Sequence, residues 1–145
     1  MKKFITLITP LALLTSCIVQ NSEYFSSLEH SEDKNYGYTA YQPVAIKNGS
    51  LERSIESSYY FLSRLRTENG DSLRLVGRAS VGNPNYKSTG LKNRYTGKPM
   101  GGGGILLDRY VLTPASSSAD TIVIFINPYS KGEVMIPEGL EFEAP

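Results

Sequence analysis

The apolar residues of this 145-residue chain follow two kinds of spacing, one typical of a helix and one typical of strands. Between residues 51 and 65 they recur at intervals of four, four, three and three, which places them on one face of a helix. These residues are Leu51, Ile55, Tyr59, Leu62 and Leu65. Asn48 or Ser50 is suited to cap the start of this helix, and Asn69-Gly70 is expected to stop it.

Three apolar runs after the helix predict strands, at residues 73–81, 105–112 and 121–127. Before the helix, residues 36–38 followed by 41–46 predict a turn and a short strand. The run at 73–81 alternates imperfectly, and one side of its predicted strand holds Leu73, Leu75, Gly77, Ala79 and Val81. The run at 121–127 is continuously apolar, which indicates a central strand buried on both faces. Residues 114–120 are short enough for a hairpin loop. The predicted fold class is α+β, with one amphipathic helix packed on a small, mostly antiparallel sheet.

The first residues have a third pattern, in which a positive pair precedes a short apolar stretch. Lys2 and Lys3 are followed by eleven largely apolar residues at 4–14, too few to span a bilayer, which takes ~20. The stretch ends in Leu14-Thr15-Ser16-Cys17, which resembles the lipobox of bacterial lipoproteins. That resemblance implies a signal peptide at 1–16, cleavage before Cys17, and lipidation of the Cys17 thiol and amino terminus. The alternative is an ordinary secretory signal followed by an accidental cysteine.

The residues that follow Cys17 predict the membrane in which the chain is anchored and the linker to its domain. Ile18 and Val19 follow the cysteine, without the aspartate that serves as a retention signal of the enterobacterial kind, so an outer-membrane address is favoured over the inner membrane. Residues 17–35 are polar and serine-rich, and we expect a flexible tether between the lipidated cysteine and a single domain at 36–145. In the alternative, Tyr24, Phe25 and Leu28 dock on that domain.

Composition excludes several classes of function. Without the signal peptide, 13 basic residues face 14 acidic ones, and this balance argues against nucleic-acid binding. Electrostatic attraction to an anionic membrane is not suggested by the net charge either, so the membrane partner is reached through the lipid anchor. Cys17 is the only cysteine and His30 the only histidine, so the predicted domain lacks the residue types of Ser-His-Asp, Cys-His and histidine-based zinc sites. No cofactor is expected.

One segment is strongly basic within this nearly neutral chain. Residues 72–107 contain no Asp or Glu and six cations, namely Arg74, Arg78, Lys87, Lys92, Arg94 and Lys98. The centre of this segment is a long loop at 82–104, and loops of this length are commonly functional or disordered. Lys87, Lys92, Arg94 and Lys98 are suited to phosphate or carboxylate, while Tyr86 and Tyr95 offer faces for sugar rings. The alternative is a solvated loop whose charges offset the acidic tail.

No catalytic signature accompanies the basic loop. Four glycines at 101–104 lead into a predicted strand, whereas a phosphate-binding glycine loop follows a strand and opens a helix. Glu52 and Glu56 lie four residues apart on the predicted helix, where a solvated surface explains them better than the acid–base pair of a glycosidase. Asp108 lies within a strand, and Asp108-Arg109-Tyr110 is expected to form cross-strand pairs.

A series of short motifs resembles a family of small uncharacterised lipoproteins of Gram-negative bacteria. The motifs are Tyr36-Gly37-Tyr38, Pro43-Val44, Gly49, Gly77, the run from Gly101 to Tyr110, and Ile126-Asn127-Pro128-Tyr129 with Pro137-Glu138-Gly139-Leu140. The resemblance covers most of residues 36–142. Some members of that family are named for an aldolase of 3-deoxy sugar-acid phosphate synthesis, a TIM barrel of roughly 250 residues, which this chain is too short to form.

The sequence therefore predicts an envelope lipoprotein whose domain is a non-catalytic accessory or interaction module with an envelope glycan or protein as partner. One alternative is an anion- or glycan-binding module that uses the loop at 82–104. A small hydrolase is the least favoured alternative.

Overall fold

The computed structural model describes residues 21–87, 90, 92–98 and 104–144, and in them one 14-residue helix packs against a mostly antiparallel sheet. The predicted α+β class is confirmed. In chain order the elements are β1 (Val44–Ala45), α1 (Leu51–Arg64), β2 (Leu65–Thr67), β3 (Leu73–Gly82), β4 (Leu106–Pro114), β5 (Ile122–Asn127) and β6 (Leu140–Phe142).

The main sheet has the strand order β1-β5-β4-β3, and β2 and β6 form a separate two-stranded sheet. β1 runs parallel to β5, while the β5–β4 and β4–β3 pairs are antiparallel. The predicted strands and the hairpin loop between β4 and β5 are confirmed. β5 is an interior strand, as predicted, but its two faces are not buried along their whole length. Ile124 and Ile126 are inaccessible, whereas Val123 and Phe125 on the other face are half-buried.

The helix starts where the sequence predicts and ends earlier. Ser50 is the N-cap, and its hydroxyl accepts a hydrogen bond from the Arg53 amide at 3.3 Å. The chain leaves the helix at Arg64 and continues directly into β2, so the expectation that Asn69-Gly70 stops the helix was wrong. Gly70 instead lies in the turn between β2 and β3, with a φ of 83° and its amide bonded to the Thr67 carbonyl at 2.8 Å.

The buried face of α1 is also displaced from the predicted one. Leu51 and Tyr59 are 44% and 39% exposed, while Leu62 is buried as predicted. The residues of α1 that face the core are Ser54, Ser57, Ser58, Phe61 and Leu62. Small serines are accommodated there because their hydroxyls bond within the helix, as when Ser58 donates to the Ser54 carbonyl at 2.8 Å.

A β-bulge changes which side chains of β3 face α1. Leu75 pairs with Leu112 of β4, and Gly77 pairs with the neighbouring Val111. Val76, which lies between them in β3, has no partner in β4 and is the extra residue of the bulge. Beyond the bulge the parity is reversed, and Arg78 lies opposite Tyr110. The predicted single face that runs from Leu73 to Val81 was therefore wrong, because a one-residue insertion exchanges the two faces of a strand.

Residues 21–35 belong to the folded domain, which corrects the expectation of a flexible tether that extends to residue 35. Phe25 is 1% exposed and lies in the core, with its ring 5.6 Å from that of Phe61. The Ser31 amide donates to the Ile136 carbonyl at 2.9 Å, and His30 forms a parallel bridge with Ile136. The alternative prediction, in which Tyr24, Phe25 and Leu28 dock on the domain, is confirmed. Burial of these side chains offsets the entropy lost when the segment becomes ordered.

The connections between strands leave the main sheet at two opposite ends. At one end, β1, β3 and β5 finish and β4 begins; the segments there are residues 46–50, the described parts of 83–105, and residues 128–133, the first part of the connection from β5 to β6. We call this the basic end. At the other end, the β2–β3 connection at 68–72 meets the β4–β5 hairpin loop at 115–121, where the Ala115 amide donates to the Ser72 carbonyl at 2.9 Å. We call this the acidic end.

Candidate functional site

The loop at 82–104 is closed at its base by Asn83. The Asn83 amide donates to the Ile105 carbonyl at 2.8 Å, and its side-chain Nδ2 donates to the Gly104 carbonyl at 2.7 Å. Its Oδ1 accepts from the Asn85 amide at 2.9 Å, which turns the chain as it leaves β3. One side chain therefore ties the start of the loop to its finish and holds both on the sheet at the basic end.

Within the loop, residues 93–98 form a compact turn organised by a second asparagine. Asn93 Oδ1 accepts from the amides of Tyr95 at 2.9 Å and Thr96 at 3.0 Å. The Asn93 amide donates to the Lys98 carbonyl at 2.7 Å, and the Gly97 amide donates to the Asn93 carbonyl at 2.9 Å. Gly97 has a φ of 65°, which favours glycine at this position. This turn displays Arg94, Tyr95 and Lys98 to solvent.

The four loop cations named from the sequence are all exposed, but the two tyrosines differ. Lys87, Lys92, Arg94 and Lys98 take part in none of the ion pairs among the described residues. Tyr95 is 92% exposed. Tyr86 is half-buried, and its hydroxyl is buried without a hydrogen-bond partner in the described part of the chain. Tyr95 is therefore an accessible aromatic face, whereas Tyr86 packs near the loop base beside Gly104.

Charge separates the two ends of the sheet. The described connecting segments of the basic end carry six cations and one acid, and these residues are Lys47, Lys87, Lys92, Arg94, Lys98, Lys131 and Glu133. The connecting segments of the acidic end carry three acids and no cation; the acids are Glu68, Asp71 and Asp120. Because the first turn of α1 adds one acid and one cation, Glu52 and Arg53, it leaves this contrast unchanged.

A second cluster lies on the sheet beneath α1, and the sequence predicted only part of it. Arg78 of β3 donates to both carboxylate oxygens of Asp108 on β4, at 3.1 and 3.0 Å. The guanidinium carbon lies 5.8 Å from the ring centre of Tyr59 and 5.7 Å from that of Tyr110. The expected cross-strand pairing of Asp108 is confirmed. Its partner was missed, because the bulge that turns Arg78 toward α1 has no clear signature in the sequence.

The electrostatics of this cluster favour a fixed ion pair. The Asp108 side chain is 8% exposed and that of Arg78 is 35% exposed. Burial raises the pKa of Tyr110, and the negative charge of Asp108 raises it further, so the phenol stays protonated at neutral pH. Burial alone would lower the pKa of Arg78. The hydrogen bond to Asp108 and the nearby negative charge outweigh burial, so the pKa of Arg78 is raised above its ordinary value. The pair therefore satisfies both charges internally and joins β3 to β4.

Next to this pair, an apolar groove of about 270 Å³ opens between α1 and the sheet. Its walls are the side chains of Tyr59, Leu62, Ser63, Leu73, Leu75 and Leu112. The groove offers hydrophobic contact and two hydroxyl groups, without a charged side chain among the residues that line it.

The remaining residues singled out in the sequence belong neither to the cations and tyrosines of the loop at 82–104 nor to the Arg78–Asp108 cluster. Cys17 and Gly101–Gly103 lie outside the described residues. Glu52 and Glu56 are exposed on α1, as expected of a solvated helix surface. Among the described residues, no three His, Cys, Asp or Glu side chains are grouped so as to hold a metal ion. No helix in the described part of the chain is long and apolar enough to cross a membrane.

Comparisons with known proteins identified no relative of this chain. No family model matches the sequence. Searches of the curated proteins and of the solved structures also found no match. The resemblance to small envelope lipoproteins therefore stays a prediction from the motifs quoted above.

Proposed function

We propose that this chain is a lipid-anchored lipoprotein of the bacterial cell envelope and that its domain is a non-catalytic interaction module. The observation that carries this proposal is Leu14-Thr15-Ser16-Cys17, placed directly after a positively charged start and a short apolar stretch. Cys17 is the attachment point for the lipid, and Ile18 and Val19 after it favour the outer membrane.

The character of the domain supports an interaction role. The Arg78–Asp108 pair, in which Asp108 is buried and Arg78 partly exposed, is satisfied by its own partners and by the Tyr59 and Tyr110 rings. Four cations and Tyr95, by contrast, stand exposed at the basic end. Charged and aromatic groups presented on a loop that a rigid sheet holds in place are typical of binding surfaces.

The lipid anchor is tested by Cys17→Ser in the full-length chain expressed in a Gram-negative host. We expect the parent to incorporate labelled palmitate and to sediment with membranes, and the variant to lose both properties and remain uncleaved or soluble in the periplasm. The control is the double variant Cys17→Ser/Ser27→Cys, which restores a thiol at an exposed position away from the lipobox. Palmitate on the Cys17→Ser variant, or its full retention in membranes at mature size, would overturn the proposal.

A second candidate function is the binding of an anionic or glycan component through the loop at 82–104. The compact turn at 93–98 favours it, because Arg94 and Lys98 are displayed beside the exposed Tyr95 ring. Replacing Lys87, Lys92, Arg94 and Lys98 together with Gln should weaken binding to lipopolysaccharide or peptidoglycan fragments. Equal binding by parent and variant, or none by either at low salt, would leave the loop a solvated connector.

A further inference from the structure

The chain is fixed to the domain almost immediately after the proposed lipid anchor. Asn21 is buried, and its Oδ1 accepts a hydrogen bond from the Ser57 hydroxyl at 2.7 Å, while Phe25 lies in the core. Four Cα-to-Cα steps separate Cys17 from Asn21. At ~3.3–3.6 Å per residue they extend at most ~14 Å. If Cys17 carries the lipid, as proposed above, the surface around Asn21 stays within this distance of the bilayer.

Asn21 meets the domain beside the basic end. The Ser57 hydroxyl that donates to Asn21 accepts in turn from Asn48 Nδ2 at 3.0 Å. The Tyr24 hydroxyl donates to the Lys47 carbonyl at 3.5 Å. Lys47 and Asn48 belong to the segment that follows β1, one of the three connections that form the basic end. The residues at which the chain joins the domain, Asn21 and Tyr24, therefore lie beside the same end of the sheet as the base of the loop at 82–104.

The charges at the two ends favour one orientation of the domain on an anionic surface. Six cations and one acid lie in the basic-end segments, and three acids lie at the far end. Clusters of four or more Lys and Arg close to a membrane anchor are typical of segments that bind anionic lipid headgroups. The exposed Tyr95 ring fits the same setting, because its apolar body and polar hydroxyl suit the boundary between lipid and water.

We infer that the basic end is a membrane-contacting surface that binds the anionic phospholipid headgroups of the bilayer that holds the anchor. Lys87, Lys92, Arg94 and Lys98 supply the charge contacts, and Tyr95 enters the headgroup layer. The acidic end then points away from the bilayer. This inference rests on lipidation of Cys17 and adds a second membrane contact to it, since a lipid chain combined with a basic patch gives firmer attachment than one chain alone.

Phospholipid is favoured over a glycan partner by the length of the spacer. A domain whose Asn21, beside the basic end, is held within ~14 Å of the bilayer has that end turned toward the lipid headgroups. Exposed charges act over ~8–10 Å at moderate ionic strength, so contact with the headgroup layer is within their range. A soluble glycan would bind equally well to a domain held in any orientation.

The test compares two labelled positions in the lipidated protein reconstituted in vesicles. Because the Cys17 thiol is acylated, Thr96→Cys in the turn at 93–98 and Ser118→Cys in the hairpin loop each provide one free thiol on an exposed residue. Each variant carries a fluorophore on that thiol, and nitroxide-headgroup lipids quench it. The vesicles are phosphatidylcholine alone or phosphatidylcholine with phosphatidylglycerol, and the control replaces Lys87, Lys92, Arg94 and Lys98 with Gln.

We expect at least severalfold stronger quenching at residue 96 than at residue 118 on phosphatidylglycerol vesicles. That ratio should fall toward one in the Gln variant, at high salt and on phosphatidylcholine alone, because each condition removes or screens the charge contact. Equal quenching at both positions, or a ratio that the Gln variant leaves unchanged, would overturn the inference for an acylated protein. Displacement of residue 96 from the lipid by peptidoglycan fragments would assign the surface to a glycan instead. A mature protein whose mass lacks the acyl groups would overturn the proposed lipid anchor itself, and the membrane orientation with it.

Discussion

The basic and acidic ends of the main sheet are joined by the same strands but differ in how their charges are used. At the acidic end, Asp71 accepts a hydrogen bond from Ser116, which ties the β2–β3 connection to the hairpin loop. At the basic end, the hydrogen bonds of Asn83 and Asn93 shape the loop through its backbone, and its four cations stay outside the ion pairs of the described residues. Charges that the fold does not use for its own stability are available for a partner.

The same comparison distinguishes the loop cations from Arg78. Arg78 belongs to the same acid-free segment, residues 72–107, as the loop cations. Unlike them, it forms an ion pair with Asp108 and packs against the rings of Tyr59 and Tyr110. The loop cations should therefore affect binding and leave stability unchanged, whereas residues that hold the ends together should affect stability.

Phe25→Ala should destabilise the domain by ~3–5 kcal/mol, because it empties a core position that contacts Tyr24, Tyr60, Phe61 and Phe142. Thermal unfolding of the mature protein in detergent measures the change, with the exposed Ser27→Ala as control. The variant should also release residues 21–35 from the rest of the domain. A melting temperature equal to that of the parent would show that residues 21–35 are not part of the folded unit.

Leu62→Ala should cost ~2–5 kcal/mol, since Leu62 is buried between α1 and the sheet. Leu51→Ala is the matched control on the same helix, and it should change stability by less than ~1 kcal/mol because Leu51 is largely exposed. Urea unfolding of both variants tests which face of α1 is buried. Similar costs for the two leucines would contradict the observed face and restore the one predicted from apolar spacing.

Asp108→Asn should destabilise the domain by ~1–3 kcal/mol, because it leaves Arg78 without its charged partner. The cost stays moderate because the Arg78 side chain is partly exposed to solvent. Asp120→Asn removes a carboxylate from the exposed hairpin loop and should shift stability by under ~0.5 kcal/mol. Thermal unfolding of the two variants at neutral pH gives the comparison. If Asp108→Asn unfolds like the parent, the ion pair does not stabilise the sheet.

Much of the fold was predictable because its strands and helix have regular patterns. The continuous apolar run at 121–127 and the Ser50 cap correspond to β5 and the start of α1. The helix face was misjudged because Ser54, Ser57 and Ser58 are polar by type. Their small volume lets α1 approach the core, and their hydroxyls are satisfied locally or by Asn21 and Asn48.

The remaining errors arose from contacts between residues far apart in the sequence. Phe25 lies in a polar stretch of sequence, and its burial depends on the rings of residues 60, 61 and 142, which are distant in the sequence. Arg78 and Asp108 are 30 residues apart, and their meeting depends on the bulge at Val76. The candidate loop was found from its charge alone. Its place at the end of the sheet where residues 46–50 also lie depends on strand register, which the sequence pattern did not give.

Hydrogen exchange of the lipidated protein on vesicles tests most directly whether the basic end faces the membrane, because it requires no substitution. Backbone amides of residues 92–98 should exchange more slowly on phosphatidylglycerol-containing vesicles than on phosphatidylcholine alone, since contact with the headgroups excludes water from the turn. Amides of the hairpin loop at 115–121 should exchange at the same rate on both. Slower exchange in the hairpin loop, with no change at 92–98, would place the acidic end on the bilayer and contradict the account.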